Sequence, residues 1–146
     1  MRALPRQRFA PIGTTLRTLF RGALSADPGA ALALQHELGV RFDVSAAVAV
    51  HSGRAALGLL LGASAVPPGA GVALAALNFV PMADVIAWGG WRPVPVDVDP
   101  ETWTLCPDRL DRALGDDPGI RAVVATHLFG IPCDMPRIVE ICDRHG

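Results

Sequence analysis

Ser52, Gly53 and Arg54 follow one another directly, and Ala55-Ala56-Leu57 continues from them in a run rich in alanine and leucine. A glycine at the entrance to a helix lets the backbone turn sharply and come close to a ligand. The first helical turn leaves N–H groups unpaired, and its dipole favours negative charge. The Ser52 hydroxyl and the Arg54 guanidinium add side-chain donors, so a phosphate is the natural occupant. An ordinary turn into a helix accounts for the same residues. The loop carries neither the Gly-Lys-Ser/Thr phosphate signature nor the G-x-G-x-x-G fingerprint. Phe79, in Asn78-Phe79-Val80, offers a ring that stacks on a flat ligand or fills a core. His127, in His127-Leu128-Phe129-Gly130, offers an imidazole that faces a cleft or holds a structural hydrogen bond.

Other groupings point to less. His127, Cys133, Cys142 and His145 match no familiar zinc spacing. Asp97 and Asp99 share a strand face, which reads as a solvated strand end before it reads as paired acids. All thirteen basic residues are arginine. Without lysine, the chain has no side-chain amine for a Schiff base.

These residues are positioned by a predicted alternation of strands and helices. Asp27 before Pro28 predicts a capped helix over Pro28–Leu38, stopped by Gly39. Ala46–Val50 reads as a buried strand and Arg54–Ser64 as a helix, with a break at Pro67-Pro68-Gly69. Strands are expected at Val72–Leu77, Pro93–Val98 and Ile120–Thr126, and helices at Pro81–Trp88, Pro107–Leu114 and Asp134–His145. Pro93 and Pro95 place their strand at a sheet edge. In the last helix Met135, Ile138, Val139 and Cys142 have the spacing of a core stripe. The alternation predicts an α/β fold with a mostly parallel sheet, with residues 1–45 as a helical lead-in and 46–146 as its body. Phe79 and His127 both follow strands, at the ends where α/β folds place ligands.

Bulk properties narrow the class. The 146 residues suffice for one modest domain; 51% are hydrophobic and 18% charged, so there is ample surface to bury. A net charge of −1 with scattered arginines gives no basic face for nucleic acid. Three cysteines and the opening MRALPRQRF suggest neither a disulfide framework nor a secretory signal, so a cytoplasmic setting is expected. Between Ala55 and Trp91 the single charge is Asp84, yet Pro67, Pro68, Gly69 and Gly71 divide the stretch below the ~20 apolar residues of a membrane span.

Taken in order, Ser52-Gly53-Arg54-Ala55-Ala56-Leu57, Asn78-Phe79-Val80, Pro93 to Asp99, His127-Leu128-Phe129-Gly130, Pro132-Cys133-Asp134-Met135 and Arg144-His145-Gly146 resemble the DegT/DnrJ/StrS aminotransferases, from about Gly39 to the last residue. That resemblance implies a pyridoxal phosphate enzyme of fold type I, many of whose members act on nucleotide-linked keto sugars as homodimers. It implies that Ser52, Gly53 and Arg54 form the phosphate cup, that Phe79 covers the pyridine ring and that His127 lines the cleft wall. Arg54 stands where threonine is common; Met82, Asp84 and Ile131 replace a frequent threonine, asparagine and glutamine. The family's pyridinium aspartate and Schiff-base lysine belong to later sequence, so the chain is expected to be the N-terminal part of the cofactor-binding domain, inactive alone. The family's sheet order is third, second, fourth, fifth, sixth, seventh, first. It implies that Ala46–Val50 lacks its neighbour and that the piece leaves an open edge and associates. The other reading is a non-catalytic module that binds a phosphate-bearing ligand or pairs with an aminotransferase subunit.

Overall fold

The computed structural model describes residues 28–146, which divide into two units after Ala49. The expected Asp27 cap lies outside the described residues. In the first unit, α1 spans Pro28–Phe42. It runs through Gly39, where a stop was expected. The left-handed turn falls instead at Asp43 (φ 51°), a residue type that tolerates it, and the Val44 N–H closes on the Gly39 carbonyl at 3.0 Å. The expected strand at Ala46–Val50 does not form, and Val48 is 74% exposed. A strand needs a partner for its backbone, and the described strands pair only with one another.

The second unit contains α2 (Gly53–Ala63), β1 (Gly71–Ala75), α3 (Pro81–Trp88), β2 (Arg92–Val96), α4 (Pro107–Asp116), β3 (Ile120–Val124), a 3₁₀ turn (Leu128–Gly130) and α5 (Met135–His145). The sheet is parallel with order β2-β1-β3, and Ala73 is in register with Val94 on one side and Val123 on the other. All five residues of β1 are buried, as small and apolar Gly-Val-Ala-Leu-Ala allows between two helical layers. Gly71 admits a close strand contact: a Cβ there would lie 2.9 Å from Ile120 Cγ1 and 3.1 Å from Ile120 Cα. β2 takes the predicted edge. The Arg92 N–H donates to the Ala70 carbonyl (2.9 Å), so residues 92, 94 and 96 face β1. Pro93 and Pro95 face outward, where no donor is needed.

Successive β1 side chains point to opposite faces, giving three layers. On one face Val72 and Leu74 pack with Leu57 and Leu61 of α2 and Ile86 of α3. On the other, Ala73 and Ala75 pack with Leu110 and Leu114 of α4 and Ile138 and Ile141 of α5. Leu105, Cys133 and half-buried Cys142 join that second core. The stripe expected on α5 is therefore rotated: Ile138 and Ile141 are each 3% exposed, whereas Val139 is 49% exposed and Met135 36%. No helix among the described residues is long and apolar enough to cross a membrane.

Candidate functional site

The entrance of α2 lies at the edge of the sheet where the strands end. Midway along α2, a Cβ at Gly58 would stand 3.6 Å from Val85 of α3. Beyond the helices, the Trp91 indole N–H donates to the Val66 carbonyl (3.3 Å) and the Gly69 N–H to the Gly90 carbonyl (2.8 Å). Helices joined at their middles and at their exits run side by side in one direction. Their entrances, Ser52-Gly53 and Pro81, therefore share the opposite end. The loop into Pro81 comes from the last residue of β1, which fixes that end as the strand C-terminal edge.

At that edge Ser52 is extended (φ −163°, ψ 156°) and caps α2, its Oγ accepting the Ala55 N–H at 3.2 Å and its carbonyl the Ala56 N–H at 3.0 Å. The two preceding N–H groups, of Gly53 and Arg54, have no acceptor among the described residues. A Cβ at Gly53 would meet nothing within 4 Å, so the packing of the fold does not demand glycine there. Arg54 is exposed with no carboxylate partner among the described residues, unlike Arg92, Arg109, Arg137 and Arg144, each of which pairs with an aspartate. Two unpaired amides, a helix N-terminus and a free guanidinium are donors of the kind an anion takes.

Phe79 is 58% exposed, so it does not fill the core. Its N–H is taken by Asn78 Oδ1 (2.8 Å), while Asn78 Nδ2 donates to Thr126 Oγ1 (3.0 Å) and ties the ends of β1 and β3 together. Beneath Phe79 lies a cleft of about 270 Å³ lined by Leu74, Ala75, Val80, Ala83 and Pro95 among others. The cleft's walls include neither Ser52, Gly53, Arg54 nor His127; those residues share its edge of the sheet without closing around it.

His127 follows β3 and is also exposed. Its Nδ1 accepts the N–H of Cys133 at 3.1 Å, and the Cys133 thiol donates to the Thr126 carbonyl at 3.2 Å. His127 is thus a structural hydrogen-bonder and a surface group at once. Asn78, Thr126 and Cys133 were not singled out as site residues from sequence. The available signal for the first two was a polar side chain just past an apolar strand.

The other groupings separate. His145 Nε2 sits 2.7 Å from Asp111 Oδ1, between α5 and α4, and no group of three metal-ligating side chains forms among the described residues. Burial, then the Asp143 carboxylate, raises the Cys142 thiol above its ordinary pKa. Asp97 pairs with Arg109 at 3.4 Å. Asp99 Oδ1 accepts the N–H groups of Thr102 and Glu101, which hold its carboxyl below the usual range. The two aspartates serve different partners and are not an acid pair.

The DegT/DnrJ/EryC1/StrS aminotransferase family matches residues 29–146. The dTDP-4-dehydro-2,3,6-trideoxy-D-glucose 4-aminotransferase of Saccharopolyspora spinosa is 38% identical over 111 residues, 76% of this chain and 28% of that protein. Among solved structures, DesV of S. venezuelae in complex with a ketimine intermediate superposes with a TM-score of 0.78 at 29% identity, over 92% of this chain and 37% of DesV. Spr1654 from Streptococcus pneumoniae in its PLP-form superposes with a TM-score of 0.72 at 27% identity, over 78% of this chain and 29% of Spr1654. The chain spans 23–30% of the length of the curated relatives it matches.

Proposed function

The chain belongs to the DegT/DnrJ/EryC1/StrS aminotransferase family, and from that premise we propose that it supplies the phosphate grip and ring-face contact for pyridoxal phosphate in a homodimeric, cytoplasmic aminotransferase acting on a nucleotide-linked keto sugar. The observation that carries this reading is the pair of unpaired N–H groups at Gly53 and Arg54, at the same sheet edge as the exposed ring of Phe79. Sugar specificity is inferred from relatives such as the Saccharopolyspora spinosa enzyme.

The cofactor, when bound, accepts electrons from the substrate carbon and carries the amino group. The Ser52 cap fixes the first turn of α2 so that the Gly53 and Arg54 amides converge on one anion. The Arg54 guanidinium adds charge-assisted hydrogen bonds to it. Phe79 covers one face of the flat ring and keeps water from it, its backbone held by Asn78 and through Asn78 by Thr126.

These 146 residues contain no lysine, so no side-chain amine is present to hold the cofactor's aldehyde. Under this reading the purified chain binds pyridoxal phosphate through its phosphate and transfers no amino group. Calorimetric titration checks this. Binding should be competed by inorganic phosphate and weakened by Arg54→Ala; binding indifferent to both, or transamination by the purified chain, would refute the reading. A second reading is a phosphate-ligand-binding or subunit-pairing module without turnover. Such a module would stay silent when mixed with the rest of a family enzyme, whereas a cofactor-gripping part would restore transfer.

A further inference from the structure

His127 is held in a particular chemical form as well as a particular place. Its backbone (φ −76°, ψ 71°) is the centre of an inverse γ-turn, closed by the Leu128 N–H on the Thr126 carbonyl at 2.9 Å. The same carbonyl accepts the thiol of Cys133, which is 5% exposed, so the turn is clamped to the core. From that clamped position the Cys133 N–H donates into Nδ1 of the ring at 3.1 Å. An accepting Nδ1 carries no hydrogen, so the ring's one N–H lies at Nε2. Turning the ring over would set a C–H against the Cys133 amide and leave that amide unpaired. Nε2 itself has no partner among the described residues, on an exposed side chain at the ligand edge of the sheet.

We propose that His127 is a fixed hydrogen-bond donor, held with its proton on Nε2 by the Cys133 amide, that takes an oxygen of the bound pyridoxal phosphate. It does not act as a base: the nitrogen left without a partner already carries a proton, and the lone pair that would accept one is occupied by Cys133. Cys133 is then a positioning residue acting through its backbone, and its thiol only anchors the loop. The proposal rests on the cofactor reading given above, and its test separates the two.

The test begins with the ring nitrogens of the ligand-free chain, by long-range proton–nitrogen correlation at a pH where the histidine is neutral. The expected pattern for His127 is a single Nε2–H tautomer. Cys133→Ala, which keeps the amide, should preserve it. Cys133→Pro, which removes the amide N–H, should replace it with an average of both tautomers. An Nδ1–H ring, or an averaged ring in the unaltered chain, overturns the proposal without touching the cofactor reading. Pyridoxal phosphate is then added. Its affinity should fall about tenfold in His127→Leu, the loss of one hydrogen bond to a charged oxygen, and stay within about threefold in His127→Gln, which keeps an N–H in reach. Equal affinity in His127→Leu overturns the donor role. Failure of the unaltered chain to bind the cofactor at all sinks the functional reading and, with it, the oxygen assigned to His127, while the tautomer result stands on its own.

Discussion

Gly53→Ala separates what the fold needs from what a ligand needs. Gly53 is the first residue of α2, and a methyl group there meets no atom within 4 Å. A clash-free exchange of this kind restricts the unfolded chain and stabilises by about 0.4–1 kcal/mol. At a helix entrance the lower part of that range applies, about 0.5 kcal/mol. For a unit the size of Val50–Gly146, 1 kcal/mol moves Tm by roughly 4–8 °C, so a rise of about 2–4 °C is expected. A ligand experiences the same methyl differently. Under the proposed function it stands beside the Gly53 and Arg54 amides that would hold the phosphate. Losing one charge-assisted hydrogen bond of about 1.5–3 kcal/mol weakens binding about tenfold or more. Melting followed by circular dichroism and calorimetric titration with pyridoxal phosphate read the two effects separately. The variant should melt higher and bind more weakly. A higher Tm with unchanged affinity removes the phosphate from this loop, and a lower Tm contradicts the open space at Gly53.

Ser52→Ala removes the cap from the same helix and should cost about 1 kcal/mol in thermal or denaturant unfolding; an unchanged midpoint would show that the Oγ bond to Ala55 contributes nothing. Arg54→Gln should leave stability within about 0.5 kcal/mol, because the guanidinium has no carboxylate partner among the described residues, and yet weaken phosphate binding in calorimetry. Gly71→Ala drives a methyl against the Ile120 backbone and should destabilise by about 1–3 kcal/mol in urea, opposite in sign to the same exchange at Gly53. Asp111 is held below the ordinary carboxylate range by its hydrogen bond to His145 and then by Arg144. A depressed carboxylate stabilises above its unfolded pKa and loses that contribution as pH falls through its folded one. The unaltered chain should therefore lose more stability on acidification below the carboxylate range than Asp111→Asn, and parallel acid profiles would refute the linkage.

Local signals located the elements well. Pro81 at a helix start and Gly89-Gly90 after it gave α3 its observed limits, Pro81–Trp88. Pro93 and Pro95 put β2 on the edge because a missing N–H is a local fact with a global consequence. What failed depended on partners that a sequence does not display. Ala46–Val50 has the composition of a buried strand and no strand beside it. Gly39 looks like a helix stop, yet the turn falls at Asp43. The face of α5 was misjudged because Met135 and Val139 are as apolar as Ile138 and Ile141, and only packing against α4 and the sheet distinguishes them. In the site, Ser52 and Arg54 were legible as polar residues at a helix entrance, though Ser52 was read as a phosphate donor and the structure makes it the helix cap. The bonds from Asn78 to Thr126 and from Cys133 to His127 were not legible, since one joins residues 48 apart and the other uses a main-chain amide that any residue type would provide.

The two borders of the sheet are chemically unequal. Outward from β2, the backbone at Pro93 and Pro95 presents carbonyls and no N–H, so an approaching strand would meet acceptors without donors. β3 pairs with β1 alone and keeps both kinds of group on its far side. Among the described strands, β3 is therefore the border that offers an added strand both donors and acceptors.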